Sequence, residues 1–498
     1  MAETADLLII GGGVNGTGIA RDAAGRGLKV VLCEKSDLAA GTSSASTKLI
    51  HGGLRYLEQY DFRLVRESLM EREVLLAAAP HIIWPLRFVL PHHAGLRPAW
   101  LLRLGLFIYD HLGGRKRLPP TRVARLGSDP VGAALRPEFS RGFEYSDCWV
   151  DDARLVVLNA LDAHERGAAI MTRSEVRSAR REKGHWVATV TGHDGRERQI
   201  HARALVNAAG PWVARMLNRI TGNGRNQPTI RLVKGSHIVT ARLYDGPHAY
   251  IFQNADGRIV FTIPYERDFT LIGTTDVTYS GDLDSIAVLP EEVAYLTQAV
   301  CEYLRQPVAA DDVVWAYSGV RPLYDDGSRK ASEVTRDYVL DLDAPDDGAP
   351  LLSIYGGKIT TFRRLSEHAL EKLAPALGVA AGAWTRGARL PGGDIEDADF
   401  DRFLASMSKV YDWLPDATLK RLSRAYGSRI ERVLGSARSM ADLGRDFGYG
   451  LTEAELDYLK GVEWAACAED VLWRRSKLGL HMPQTAQDAV ADWFARAT

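Results

Sequence analysis

Residues 7–10, Leu-Leu-Ile-Ile, run straight into Gly11-Gly12-Gly13-Val14-Asn15-Gly16, and a helix-patterned stretch then leads to Val30-Val31-Leu32-Cys33-Glu34. An apolar strand, a glycine turn, a helix and a second apolar strand make a βαβ unit that binds a dinucleotide. Gly11, Gly13 and Gly16 fall at the GxGxxG spacing. The first permits the tight turn out of the strand, and the second lets backbone approach a pyrophosphate. The third lets the helix pack on the strand, so that phosphates meet free N–H groups at the helix N-terminus. Glu34 ends the second strand, where a carboxylate accepts the ribose hydroxyls of an adenosine. An acid here, in place of an arginine cluster, disfavours a 2′-phosphate and hence NADP. The motif leaves NAD and FAD equally open.

The chain has 498 residues, enough for two or three domains and a large core. Its net charge of −1 carries no nucleic-acid signature. Cys33, Cys148, Cys301 and Cys467 are scattered without metal-ligand or disulfide spacing, and they read as buried small hydrophobes in a reducing compartment. No metal site is expected. No signal peptide is apparent, and no run reaches the roughly 20 apolar residues that cross a bilayer.

Along the chain, the small-residue run from Ala39 to Lys48 and the following His51-Gly52-Gly53-Leu54 read as a loop pressed against a ligand. Residues 61–79 have helical spacing, and Asp151 or Asp152 caps a helix over about 153–166. Residues 186–190 and 198–200 form a hairpin around Asp194-Gly195, and a separate strand over 204–207 ends in Ala208-Ala209-Gly210. Residues 230–280 read as a sheet, and Pro290 opens a helix. Leu351-Leu352-Ser353-Ile354-Tyr355 runs into Gly356-Gly357 and a helix over about 360–373. Pro391-Gly392-Gly393-Asp394 marks a boundary, beyond which the pattern is helical, with a capping box at Thr452 and Glu455.

The stretch 96–127 crowds Trp100, Leu101, Leu102, Leu104, Leu106, Phe107 and Ile108 among Arg97, Arg103, Arg115, Lys116, Arg117, Arg122 and Arg125. It reads equally as an interfacial membrane segment or as a core helix followed by a solvated basic loop.

These pieces together resemble a known family. The blocks GGGVNG (11–16), TSSASTKLIHGGLRYL (42–57), GFEYSDCWVDDARL (142–155), VNAAGPW (206–212), KGSHIV (234–239), GTTD (273–276), SGVRPL (318–323), TRDY (335–338) and GGKITT (356–361) are similar to those of the FAD-dependent sn-glycerol-3-phosphate dehydrogenases, of the bacterial aerobic, respiratory type. The likeness covers essentially the whole chain. It implies an α/β fold: a Rossmann-like FAD-binding domain of the glutathione-reductase and D-amino-acid-oxidase type, a mixed β-sheet substrate domain and a C-terminal all-helical cap. The expected division is 1–78, 142–215 and 318–385 for FAD, 79–141 and 216–317 for substrate, and 391–498 for the cap.

Removing hydrogen from a secondary alcohol requires a hydride acceptor that side chains cannot supply, and a flavin can. The glycine-ended strands at Ala208, Gly210, Gly356 and Gly357 suit FAD, whose extended body needs more backbone approaches than NAD. The resemblance adds Asn15, Thr42, Ser43, Ser44, Lys48, His51, Gly52, Gly53, Leu54, Lys358 and Thr360 to the cofactor site. A phosphorylated substrate needs cations, preferably arginine. By resemblance these are Arg55, Arg321, Arg336 and Lys358, with Tyr56 and Asp276 beside them. His237 and His51 are both candidates for the base, and Arg321 or Lys358 would stabilise a forming alkoxide electrostatically.

The resemblance further implies sn-glycerol 3-phosphate as substrate, and ubiquinone or menaquinone as electron acceptor. It places the protein peripherally on the anionic cytoplasmic face of the inner membrane, and a homodimer is left open. Two other readings stand beside it: a related amine- or amino-acid-oxidising flavoenzyme, and a non-catalytic flavin-binding interaction protein.

Overall fold

The opening βαβ unit consists of β1 (Glu3–Ile10), α1 (Val14–Gly25) and β2 (Val30–Cys33). In β1, Leu7 and Ile9 pack with Ile19 and Ala23 of α1, while Leu8 and Ile10 pack on the opposite face with Trp186 and Leu217. A strand covered on both faces is apolar throughout, which accounts for its unbroken hydrophobic run. The structure, a computed structural model, describes residues 3–54, 57, 61–221, 230–324, 337–346 and 348–496.

Three helices follow in the chain. The Asp61 side chain caps α2 (Phe62–Ala78) by accepting from the Leu64 N–H. Next comes α3 (Ala99–Leu112). Asp151 caps α4 (Asp152–Glu165) by accepting from the Arg154 N–H, one of the two caps expected there. The strand β3 (Glu197–Asn207) is longer than the sequence pattern suggests. Its first half forms the expected antiparallel hairpin with His185–Thr191, and the same strand continues parallel to β1. The two stretches read separately are one strand because Arg203, which breaks the apolar pattern, points outward to Asp6 at 3.1 Å.

A second, mixed sheet contains β4 (Ile230–Ala241) and β5 (Phe269–Gly273), with α5 (Pro290–Cys301) packed beside it and β6 (Val313–Tyr324) paired along β4. The chain then returns to the first sheet through Val339–Asp343 and β7 (Leu351–Tyr355), and α6 (Phe362–Leu377) follows. The main path of the first sheet runs Val339–Asp343, β7, β3, β1, β2, Ala169–Met171. On one face α1, α4 and α6 bury Ile19, Val156 and Leu365 against Leu7, Val206 and Leu352.

Two segments depart from the expected division. Gly142–Val150 and the stretch 318–324 were expected with the FAD-binding sheet, and both pair in the second sheet. Gly142–Val150 is buried along its whole length and pairs with Ile83–Pro91, a partner that a local hydrophobic pattern cannot specify.

Past residue 391 the chain is mainly helical, but a two-stranded ladder, Asp446–Gly448 with Leu451–Thr452, interrupts it. The expected capping box ahead of α7 (Glu453–Val462) does not form, since the Thr452 side chain makes no cap hydrogen bond. Glu455 instead takes two bonds from Arg421 at 2.6 and 2.7 Å and one from the Tyr426 hydroxyl at 2.8 Å. A forked guanidinium is a stronger partner than a backbone N–H. Among the cysteines, Cys33 and Cys148 are buried as expected, whereas Cys301 and Cys467 are only half-buried. The Cys301 sulfur accepts from the Val308 N–H at 3.1 Å.

Candidate functional site

The glycine turn is built as its spacing requires. Gly11 has φ +112°, and a Cβ there would lie 2.5 Å from the Ala208 carbonyl oxygen. A Cβ on Gly16 would lie 1.9 Å from the Gly11 carbonyl oxygen, so α1 packs onto the turn only because Gly16 has no side chain. Gly13 is the N-cap of α1 and supplies no side-chain cap. Glu34 spans the turn from β2, accepting from the Gly12 N–H at 2.6 Å and the Ser36 N–H at 2.8 Å. Burial pushes its carboxyl above the ordinary range, while those two backbone bonds pull it down. Glu34 therefore fixes the turn as well as lining the cavity beside it. That cavity, about 520 Å³, is bounded by Gly11, Gly13, Glu34, Ser43, Ala208 and Gly210 among others.

The segment over residues 42–53, in which Leu49–Ile50 is a short strand of the second sheet, bridges the two sheets. Thr42 donates to the Val320 carbonyl at 2.6 Å, and the Ser43 hydroxyl accepts from the Val14 N–H at 3.0 Å. The Ser44 hydroxyl turns back to Gly41 at 3.4 Å. Lys48 is buried and donates to Asp152 at 2.7 Å and to the Ser44 carbonyl at 3.1 Å. Its amine is thus committed to holding the loop on the first turn of α4. His51 N–H meets the Thr360 hydroxyl at 3.3 Å, Gly52 N–H meets the Tyr109 hydroxyl at 2.8 Å, and Leu54 packs into the core under the second sheet. Asn15 donates to the Gly356 carbonyl at 3.2 Å, tying α1 to the turn after β7, where Gly356 and Gly357 both have positive φ. Lys358 and Thr360 follow that turn, Lys358 half-buried and Thr360 buried.

The second sheet brings the substrate candidates into register. Val233 pairs with Arg321, Gly235 with Gly319, and His237 with Tyr317 and Gly273. Residues two apart on a strand share a face. A Cβ on Gly235 would stand 2.9 Å from an Arg321 guanidinium nitrogen, so the arginine lies across the gap that Gly235 leaves. Asp276 meets the same nitrogen at 3.4 Å. His237 stacks on Tyr317 with ring centroids 4.9 Å apart and shares a 2.9 Å hydrogen bond between its Nε2 and Thr47 Oγ1. Burial, with Lys48 and Arg321 nearby, lowers the His237 imidazole to about 3, so it is neutral near pH 7. Loop residue Ala45 covers Gly319 on this face. Arg55, Tyr56 and Arg336 lie outside the described residues.

Residues 6–363 match the family model described as FAD dependent oxidoreductase, and 383–496 match the C-terminal domain of alpha-glycerophosphate oxidase. A glycerol-3-phosphate dehydrogenase of Pseudomonas aeruginosa is 54% identical over 98% of this chain and 94% of its own length. The chain belongs to the FAD-dependent glycerol-3-phosphate dehydrogenase family. A D-erythritol 1-phosphate dehydrogenase of Brucella abortus is 53% identical over 99% of this chain and 98% of its length. The crystal structure of the glycerol-3-phosphate dehydrogenase from Bacillus halodurans complexed with FAD has a TM-score of 0.79 at 29% identity. It covers 99% of this chain and 90% of that one.

This member of the family is thus an FAD-dependent oxidoreductase, and its residues fit the cofactor. The glycine cradle leaves no room for Cβ atoms, the N-cap residue of α1 is itself a glycine, and Glu34 lines an adjoining cavity. The sequence reading missed several residues. Gly235, Gly273 and Gly319 are strand glycines, which often mark close approach of another group. Thr47 and Tyr317 hold His237 on two sides. Ser236 and Thr275 hydrogen-bond Glu292 at 2.9 and 3.0 Å, and Glu292 in turn pairs with Lys234 at 2.7 Å. Burial raises the Glu292 carboxyl, but Lys234 and these hydrogen bonds outweigh it and hold the group below its ordinary range. Its only sequence signal was an acid two residues beyond Pro290, in the first turn of the helix, where it accepts from the Leu289 N–H at 3.0 Å.

Proposed function

We propose that this chain oxidises sn-glycerol 3-phosphate to dihydroxyacetone phosphate and passes the electrons to a membrane quinone, ubiquinone or menaquinone. The observation that carries the reading is the placement of Arg321 over Gly235, beside Asp276 and on the strand face shared with His237. A phosphate dianion suits a forked guanidinium held in a polar, partly enclosed site. Bound FAD supplies the hydride acceptor. The protein contributes binding, orientation and proton handling. Arg321 takes the phosphate, together with Arg55 and Arg336. Asp276 and Tyr56 meet the hydroxyls, and Lys358 stabilises developing negative charge on the substrate oxygen. His237 accepts the alcohol proton. In the free site its basicity is low, and a dianion on Arg321 offsets the cationic field and raises it. The cofactor set is Gly11, Gly13, Asn15, Gly16, Glu34 and loop 42–54, with Ala208, Gly210, Gly356, Gly357, Lys358 and Thr360.

The 53% identical relative named for D-erythritol 1-phosphate supports a second reading, a polyol phosphate one carbon longer. Both substrates present the same phosphate and secondary alcohol. Quinone reduction assayed with each, and with glycerol and an amino acid as controls, tests the proposal. The expected outcome is a higher kcat/KM for sn-glycerol 3-phosphate than for D-erythritol 1-phosphate, and no turnover without a phosphate. A preference for the erythritol ester selects the second reading, and turnover of the amino acid contradicts both.

No helix among the described residues is long and apolar enough to cross a membrane. The exposed face of α3 supports peripheral attachment: Trp100, Leu104 and Phe107 are 67, 48 and 59% exposed. Only Leu106, Tyr109 and Asp110 of the helix are buried. Arg97, Arg103, Lys116 and Arg117 are exposed around this face, so residues 96–117 suit an anionic surface.

A further inference from the structure

Residues 279–287, which follow a short strand of the second sheet, cross to the first sheet at the mouth of the 520 Å³ cavity, where Leu283 and Asp284 form part of its lining. Asp284 takes three contacts there. Lys35 Nζ donates to it at 2.6 Å, Trp212 Nε1 at 3.2 Å and Arg215 at 2.9 Å. Lys35 adjoins Glu34 at the end of β2, whereas Trp212 and Arg215 follow Gly210 beyond β3. One carboxylate from the substrate sheet therefore joins both walls of the cavity. Lys35 also lies 4.3 Å from the centroid of the Trp212 ring.

The segment is anchored at its ends and exposed between them. Tyr279 N–H donates to the Leu232 carbonyl at 2.8 Å, and Lys234 Nζ donates to the Ala287 carbonyl at 2.9 Å. Between them Ser280, Gly281, Asp282, Asp284 and Ser285 are exposed, and Leu283 is half-buried. A stretch with few buried contacts opens at low cost while the core stays folded. Asp284 is 43% exposed, with Lys35 and Arg215 at 40 and 55%, so salt screens both ion pairs.

We propose that residues 279–287 are a salt-sensitive strap over the cofactor cavity, with Asp284 as its latch, and that the strap sets how long bound FAD is retained. The proposal rests on the reading that this cavity receives the adenosine half of FAD. Unlatching separates the strap from both walls, and Leu283 leaves the mouth with it.

The test is the rate at which the purified holoenzyme loses flavin, followed by timed ultrafiltration at about 0.01 M and about 1 M salt, where the Debye length falls from about 30 to about 3 Å. Asp284→Asn is expected to release FAD about tenfold faster than the unaltered protein at low salt, with an unchanged melting temperature. High salt should bring the unaltered protein close to the variant and leave the variant itself little changed. Asp256→Asn, at an exposed acid beside Arg258 elsewhere in the substrate sheet, should release FAD at the original rate. Glu34→Ala reports on the cavity. If Glu34→Ala hastens release but Asp284→Asn does not, or if Asp284→Asn keeps the full salt dependence, the strap is overturned. If Glu34→Ala has no effect, the cavity reading fails first.

Discussion

A buried imidazole resists protonation because its cation loses hydration, and His81 and His237 are both in that position. Burial, then Arg154 and Arg424, lowers His81 to about 3, and His237 is held at a similar value. These folded-state values lie below that of the unfolded chain, about 6.5. The unfolded chain therefore binds protons first on acidification. The stability these histidines confer is complete above about pH 6.5 and is lost as pH falls towards about 3. Unfolding free energies from denaturant titrations between about pH 6 and pH 4 should show His81→Gln reducing the slope by about 1.4 kcal/mol per pH unit. An unaltered slope would show that His81 is not kept neutral. His237→Asn should remove the acid limb of kcat without loss of flavin, and survival of that limb would assign the base elsewhere. Arg321→Ala should raise KM by about two orders of magnitude, some 2.7 kcal/mol, at constant flavin content. An unchanged KM would take Arg321 out of the phosphate site. The histidines were visible as residues but not as environments, since their burial depends on strands far apart in the chain.

At the scale of elements, the glycines carry the sharpest geometric claims. Gly16→Ala forces a Cβ to within 1.9 Å of the Gly11 carbonyl oxygen, so α1 must shift and flavin content should fall. Gly235→Ala crowds Arg321 at 2.9 Å, and it should raise KM with the flavin retained. Equal flavin loss in both variants would contradict the separate roles of turn and sheet. For α3, sedimentation with anionic vesicles should weaken with added salt and with neutralisation of Arg115, Lys116 and Arg117. No change would mean that the helix does not meet the membrane. The turn, α2, α4 and the helix opened by Pro290 were legible because each rests on a local period or cap. The sheet that receives Gly142–Val150 was not, because pairing is chosen by distant partners. The box at Thr452 failed for a related reason: Arg421, more than 30 residues away, supplies Glu455 with a better partner.

At the scale of the molecule, the C-terminal region is joined to the FAD-binding sheet by buried charge. Arg475 bonds Asp37 at 2.7 and 2.9 Å, Arg474 reaches the same carboxylate at 2.7 Å, and Arg154 of α4 pairs with Glu463. Asp37 lies three residues past Glu34. The cap thereby braces the loop beside the 520 Å³ cavity. Arg475→Met leaves Asp37 with Arg474 alone in a buried site, and it should cost about 1.5–3 kcal/mol in the denaturation free energy. A loss below about 1 kcal/mol would show that the contact is solvated. None of this ionic network was legible in the sequence, which supplied the family likeness but no pairing across 400 residues.

The central claim is that glycine turn, bridging loop and arginine-bearing sheet make one flavin-linked site for a polyol phosphate. Anaerobic mixing of the purified yellow protein with sn-glycerol 3-phosphate, glycerol or an amino acid tests it most directly. Bleaching of the flavin by the phosphate ester alone is the expected result. Bound flavin that none of the three bleaches, or that glycerol bleaches equally well, would contradict the account.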